Sequence, residues 1–129
     1  MILIVDDNAD LAEICAMLLR LYGYRAEVAT GSKHAMDFLT GSRPRLLLSD
    51  CRMPGFPDLQ LCDYLHRVAP KLPYPILLMS GLPQHLAASG HGYASFLKKP
   101  FLAETLLREV RQLIGAPRAL AVGAPATIQ

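Results

Sequence analysis

The chain has 129 residues, which by the usual size range is one domain, long enough for a proper core. Hydrophobic residues make up 52% and mean hydropathy is +0.26, yet no apolar run approaches the ~20 residues of a membrane span. Thirteen Lys and Arg against eleven Asp and Glu leave a net charge of +2 with no basic cluster, which excludes the footprint of direct nucleic-acid binding.

No basic-apolar-small leader precedes the first apolar run, so the expected location is the cytoplasm, with no membrane attachment. Cys15, Cys51 and Cys62 are odd in number and form no C-x-x-C pair. Cys15 and Cys62 read as small core residues on helices, and nothing argues for a redox role at Cys51.

In chain order, Ile2-Leu3-Ile4-Val5 is a short β-branched run of the kind buried on both faces of a parallel sheet, and it ends at Asp6-Asp7. Asn8 can cap the next helix, on which Leu11, Ile14, Cys15, Leu18 and Tyr22 recur at helical spacing, and Gly23 ends it. Arg25 to Ala29 reads as a strand at a sheet edge. Ser32 is placed to cap a second helix that buries Ala35, Phe38 and Leu39.

Leu46-Leu47-Leu48-Ser49-Asp50 is the most telling stretch, a doubly buried strand that delivers an aspartate to the carboxyl edge of its sheet. Leu61, Cys62, Leu65 and Val68 mark a third helix, and Pro70, Pro73 and Pro75 keep the next segment from being helical. Ile76 to Met79 is another buried strand, leading to Ser80-Gly81, and a short weak helix covers about 84–89. Ser95-Phe96-Leu97 is the last strand, before Lys98-Lys99-Pro100. A final helix over about 103–114 carries Leu106, Val110, Leu113 and Ile114 on one face. The predicted domain is 1–115, and 116–129 is an Ala/Pro/Gly-rich tail without periodicity, expected to be linker or disorder. Alternating strands and helices predict an α/β doubly wound parallel sheet.

Four strands thus end in Asp6-Asp7, Asp50, Ser80 and Lys99. A lone aspartate after a strand means little, because aspartate is common in turns. Coincidence at four strand ends of one sheet carries information. Three carboxylates in a partly buried site repel one another and call for a hard cation, and few carboxylates with room for water suit Mg²⁺. A carboxylate at Asp50 beside a metal, an ammonium and a hydroxyl can act as a nucleophile toward phosphorus. His34, His66, His85 and His91 lie at no metal-ligand spacing, and Gly90-x-Gly92 precedes a strand instead of following one, unlike a dinucleotide fingerprint.

The set Val5-Asp6-Asp7-Asn8, Asp50-x-x-Met53-Pro54, Met79-Ser80-Gly81 and Lys99-Pro100-Phe101 closely resembles the receiver domain of two-component response regulators, over about residues 1–115. The resemblance implies a flavodoxin-like sheet of order 2-1-3-4-5 and phosphotransfer to Asp50 from a sensor histidine kinase or phosphotransfer protein. It implies Mg²⁺ ligation by Asp7, Asp50 and the Arg52 carbonyl, with Asp6 acting mainly through water. Ser80 would hydrogen-bond the phosphoryl group, Lys99 would pair with it ahead of a cis Lys99-Pro100 bond, and Phe96 would be the switch aromatic coupled to Ser80. The downstream partner stays open, and so does a phosphorylation-dependent dimer. Such a module is a phosphoacceptor with self-catalysed phosphotransfer and slow dephosphorylation, not a turnover enzyme.

Two departures qualify the resemblance. The Asp-Gly pair usual after Met-Pro is replaced by Pro57-Asp58, and the stretch from Ser80 to Lys99 is about one helical turn short. The first motivates an alternative, a receiver-like interaction domain that works without phosphate. A Mg²⁺-dependent phosphohydrolase is a second alternative, but such enzymes commonly carry an acid two residues past the nucleophile, where this chain has Arg52.

Overall fold

The structure, a computed structural model, describes residues 1–6, 8–50, 73–80 and 95–117; the side chains of Ser32, Ser80, Ser95 and Phe96 fall outside that description. The described elements are β1 (Ile2–Val5), α1 (Ala9–Leu21), β2 (Ala26–Ala29), α2 (Ser32–Gly41), β3 (Leu46–Asp50), β4 (Ile76–Ser80), β5 (Ser95–Lys98) and α3 (Ala103–Ile114). The five strands form one sheet of order β2-β1-β3-β4-β5, with every pairing parallel. The helices expected around Leu61–Val68 and 84–89 lie outside the described residues, as do Cys51, Cys62, Met53, Pro54 and the Pro57-Asp58 loop.

The apolar runs become central strands because each needs two apolar surfaces. Ile2, Ile4, Leu46, Leu48, Leu77, Met79 and Leu97 pack on one side of the sheet against Ala12, Cys15, Ala16 and Leu19 of α1 and Leu106 and Val110 of α3. Leu3, Val5, Leu47, Ile76 and Leu78 point to the opposite side, where Ala35 of α2 meets them. The period of two in side-chain direction divides each run between the two layers. Each fully buried Leu or Ile contributes roughly 1.5–3 kcal/mol relative to exposure, so these strands anchor the domain.

Two local expectations are corrected. The buried face of α1 is Ala12, Cys15, Ala16 and Leu19, with Leu11 and Leu18 partly buried, whereas Ile14 and Tyr22 are exposed. Apolarity alone set the expected stripe; close approach of the helix to the sheet selects the small Ala12 and Ala16 instead. At α2 the N-cap is Gly31, with no side-chain cap bond, and Ser32 is the first helical residue. Ala35 is buried there, while Phe38 and Leu39 are only partly so.

The other boundaries follow their chemistry. The Asn8 side chain accepts a hydrogen bond from the Leu11 N–H at 3.1 Å, the cap expected from the sequence. Gly23 (φ +99°) and Gly115 (φ +82°) follow α1 and α3 in the left-handed region that glycine adopts without a Cβ penalty.

Candidate functional site at the carboxyl edge

Parallel strands present all their carboxyl ends at one edge, and the order reverses between β1 and β3. A crevice at such a reversal is where open α/β sheets hold ligands. Val5 is in register with Ser49, so Asp6 comes level with Asp50 on the neighbouring strand. The two carboxylates therefore flank the reversal point.

Lys99 follows β5, yet its ammonium reaches back across the end of β4. Its Nζ donates to Asp6 Oδ2 at 3.0 Å and to Asp50 Oδ1 at 3.3 Å. Asp6 is 1% exposed, and its other oxygen, Oδ1, accepts the Asn8 N–H at 2.9 Å. A carboxylate buried so completely needs such partners, because an unpaired charge there would be costly. The Asp50 and Lys99 side chains keep 16% and 22% exposure, enough for contact with solvent at the edge. Burial works to lower the Lys99 pKa, but the hydrogen bond to Asp6 and the charges of Asp50 and Asp6 outweigh it, leaving the ammonium above its ordinary value of 10.5. Lys99 is cationic at neutral pH. The Lys99-Pro100 peptide is cis.

The sheet thus brings together three of the sequence-derived site residues, Asp6, Asp50 and Lys99. Ser80 ends β4 in register with Lys98, and Phe96 lies on β5 in register with Leu78, which gives their backbones a place at or near this edge. Asp7 and Arg52 lie outside the described residues. Two carboxylates against one ammonium leave the described site with a net negative charge, which favours a further cation. Among the described residues no group of three His, Cys, Asp or Glu gathers, and Asp7 is the chain neighbour that would supply a third acid. The donor set, all hard oxygen, fits Mg²⁺.

Cys15 is the core residue that the sequence leads one to expect. Burial pushes its thiol up to about 11, helped by the charge of Asp6 and opposed by Lys99, so the thiol lies in the field of the site without bonding it. Sequence reasoning did not find the Asp6–Lys99 ion pair. No spacing rule links residues on strands separated by two others.

Residues 2–111 match the response regulator receiver domain. The chain belongs to that family. The response regulators MprA of Mycobacterium avium and of Mycobacterium tuberculosis are each 32% identical to it over 114 residues, or 88% of this chain. The chain spans about half the length of these relatives, 50% in each case. The receiver domain of NtrX from Brucella abortus superposes with a TM-score of 0.78 at 27% identity, covering 88% of this chain and 98% of that one. A response regulator, TrrA from Thermotoga maritima, solved in complex with Mg²⁺-BeF, shares the fold at a TM-score of 0.76 and 22% identity, covering 87% of this chain and 96% of its own. The receiver fold and the strand order 2-1-3-4-5 are therefore those expected from the sequence, and the chain is a receiver module of a two-component system. No helix among the described residues is long and apolar enough to cross a membrane.

Proposed function

We propose that this receiver is a phosphoacceptor switch in the cytoplasm, taking a phosphoryl group from a histidine kinase or phosphotransfer protein onto Asp50. The observation that carries the reading is the single Lys99 ammonium held between Asp6 and Asp50 at the point where the sheet order reverses. In transfer from a phosphohistidine, an Asp50 carboxylate oxygen forms the new bond to phosphorus. The P–N bond breaks, and the imidazole leaves with the electron pair and takes up a proton. Lys99, already cationic and partly desolvated, is placed to meet charge on the phosphoryl oxygens. Asp6 acts as a positioning residue, fixing that ammonium with one oxygen while the Asn8 N–H fixes the other.

Asp6, Asp7, Asp50 and the Arg52 carbonyl are the groups assigned to hold Mg²⁺, which would supply charge compensation for the incoming phosphoryl group. Ser80 is assigned the hydrogen bond to the phosphoryl group and Phe96 the coupled switch. The phosphoryl group would carry about −1.5 to −2 of charge in place of the single charge of the free carboxylate, drawing Lys99 and Ser80 toward it and biasing two arrangements of the output face at the fourth helix and fifth strand.

The donor is assigned to α1. Ile14, Met17 and Leu21 are 60%, 64% and 77% exposed and fall on one face at i, i+3 and i+7 of the helix that starts beside Asp6. An apolar stripe of this kind suits a helical partner whose histidine must reach the edge.

The reading is tested by incubating the protein with acetyl phosphate, with and without Mg²⁺, and weighing it intact. One added phosphoryl group that needs Mg²⁺ and vanishes in Asp50→Asn is expected. Failure to bind either acetyl phosphate or beryllofluoride would overturn it in favour of an interaction domain.

A further inference from the structure

The sheet has an open side at β2, which pairs with β1 and with no other strand among the described residues. The Ile2 N–H donates to the Arg25 carbonyl at 2.7 Å and the Asp6 N–H to the Ala29 carbonyl at 3.3 Å, so Arg25, Glu27 and Ala29 turn their carbonyls toward β1. Backbone direction alternates along a strand, which leaves the N–H and C=O of Ala26 and Val28 on the open side. Such a row is a ready template for another strand.

One of these groups is already taken. Arg20, in the last turn of α1, donates to the Ala26 carbonyl from Nη2 at 2.7 Å and from Nε at 3.1 Å. A carbonyl oxygen has two acceptor positions, and the guanidinium fork fills both with charge-assisted bonds. A basic residue in a last turn commonly serves the carbonyls of its own helix. Arg20 spans to the strand instead.

The partner that this edge fits is a second copy of the chain. In a two-fold antiparallel pairing about position 27, Ala26 of each copy would exchange both backbone bonds with Val28 of the other. That exchange needs the Ala26 carbonyl on both copies, and Arg20 occupies it on both. The same pairing sets the exposed Glu27 directly opposite its mate, where like charges repel. Met17, about one helical turn before Arg20, and Leu21 beside it are exposed and would add apolar area to the contact.

We propose that Arg20 is an edge guard, which holds the Ala26 carbonyl and so denies the open side of β2 to a second copy of this chain, with Glu27 as a lesser barrier. The inference stands apart from the phosphoacceptor reading, since Arg20, Ala26, Glu27 and Val28 take no part in it.

The test uses the full chain without Mg²⁺ or phosphodonor, and combines sedimentation equilibrium with amide hydrogen exchange from micromolar to near-millimolar protein. In the unaltered protein, exchange at Ala26 and Val28 should not depend on concentration. Arg20→Met keeps the apolar stem but loses the donors; it should self-associate, with protection at those two amides rising several-fold with concentration. Glu27→Thr added to it should tighten the association, and Val28→Pro should abolish it by removing an outward N–H that β1 does not use. Arg20→Lys keeps the charge without the fork; it should associate to a smaller extent and serves if Arg20→Met does not fold. Folded Arg20→Met and Arg20→Met/Glu27→Thr that stay monomeric at every concentration would overturn the inference, leaving Arg20 as a tie between α1 and β2. Association without protection at Ala26 and Val28 would overturn it too, as would pairing through these amides in the unaltered protein.

Discussion

Lys99 shows how a residue acquires a role that its sequence neighbours do not disclose. Lys98, one position earlier, is exposed, whereas Lys99 is drawn into a double ion pair with Asp6 and Asp50. A lysine whose folded pKa lies above its unfolded value stabilises the fold fully below the unfolded pKa and loses that contribution as pH rises through the folded one. Stability should therefore fall as pH climbs above 10.5, the ordinary value, and Lys99→Met should flatten that part of the curve, as read by chemical denaturation at stepped alkaline pH. Cys15 gives a second check at this scale. With its thiol raised to about 11 and buried, it should resist maleimide at pH 7 in the folded protein and react on unfolding, as followed by peptide mass. Asp50 and Lys99 were legible in the sequence because a short apolar run ending in a charged residue announces a strand end. The Asp6–Lys99 contact was not, because it depends on the order in which strands pair.

At the scale of elements, strands were easier to read than helix faces. An unbroken run such as Leu46-Leu47-Leu48 permits one interpretation, burial on both sides, and all three are buried. On α1 too many residues were apolar for the pattern to choose a face. Ile14 and Leu21 face solvent, whereas Ala12 and Ala16 touch the core, since small side chains let the helix lie close to β1. Substitutions should separate the two faces. Leu19→Ala should cost about 2–5 kcal/mol, and Ala16→Leu about 1–3 through overpacking, while Ile14→Ser should stay within about 0.5 in urea unfolding. Asn8→Ala removes the side-chain acceptor of the Leu11 N–H and should cost about 1 kcal/mol, largely recovered by Asn8→Ser.

Taken whole, the molecule sets three features apart in space. The carboxyl edge gathers Asp6, Asp50 and Lys99, the outer face of α1 offers an apolar stripe, and at the opposite edge Arg45 and Tyr24 hold the end of α3. This division predicts that Met17→Glu will depress phosphotransfer from a histidine kinase while leaving phosphorylation by acetyl phosphate unchanged, because the small donor needs no docking surface. Rates with the two donors, measured side by side, would show it. The central claim is that Asp50 itself takes the phosphoryl group. Its most direct test is to phosphorylate the protein in Mg²⁺, reduce it with borohydride, and sequence the peptides by mass spectrometry. An acyl phosphate on Asp50 should appear as homoserine at position 50, absent when Mg²⁺ or the phosphodonor is left out. Homoserine at another aspartate, or a phosphoryl group that survives the reduction intact, would contradict the account.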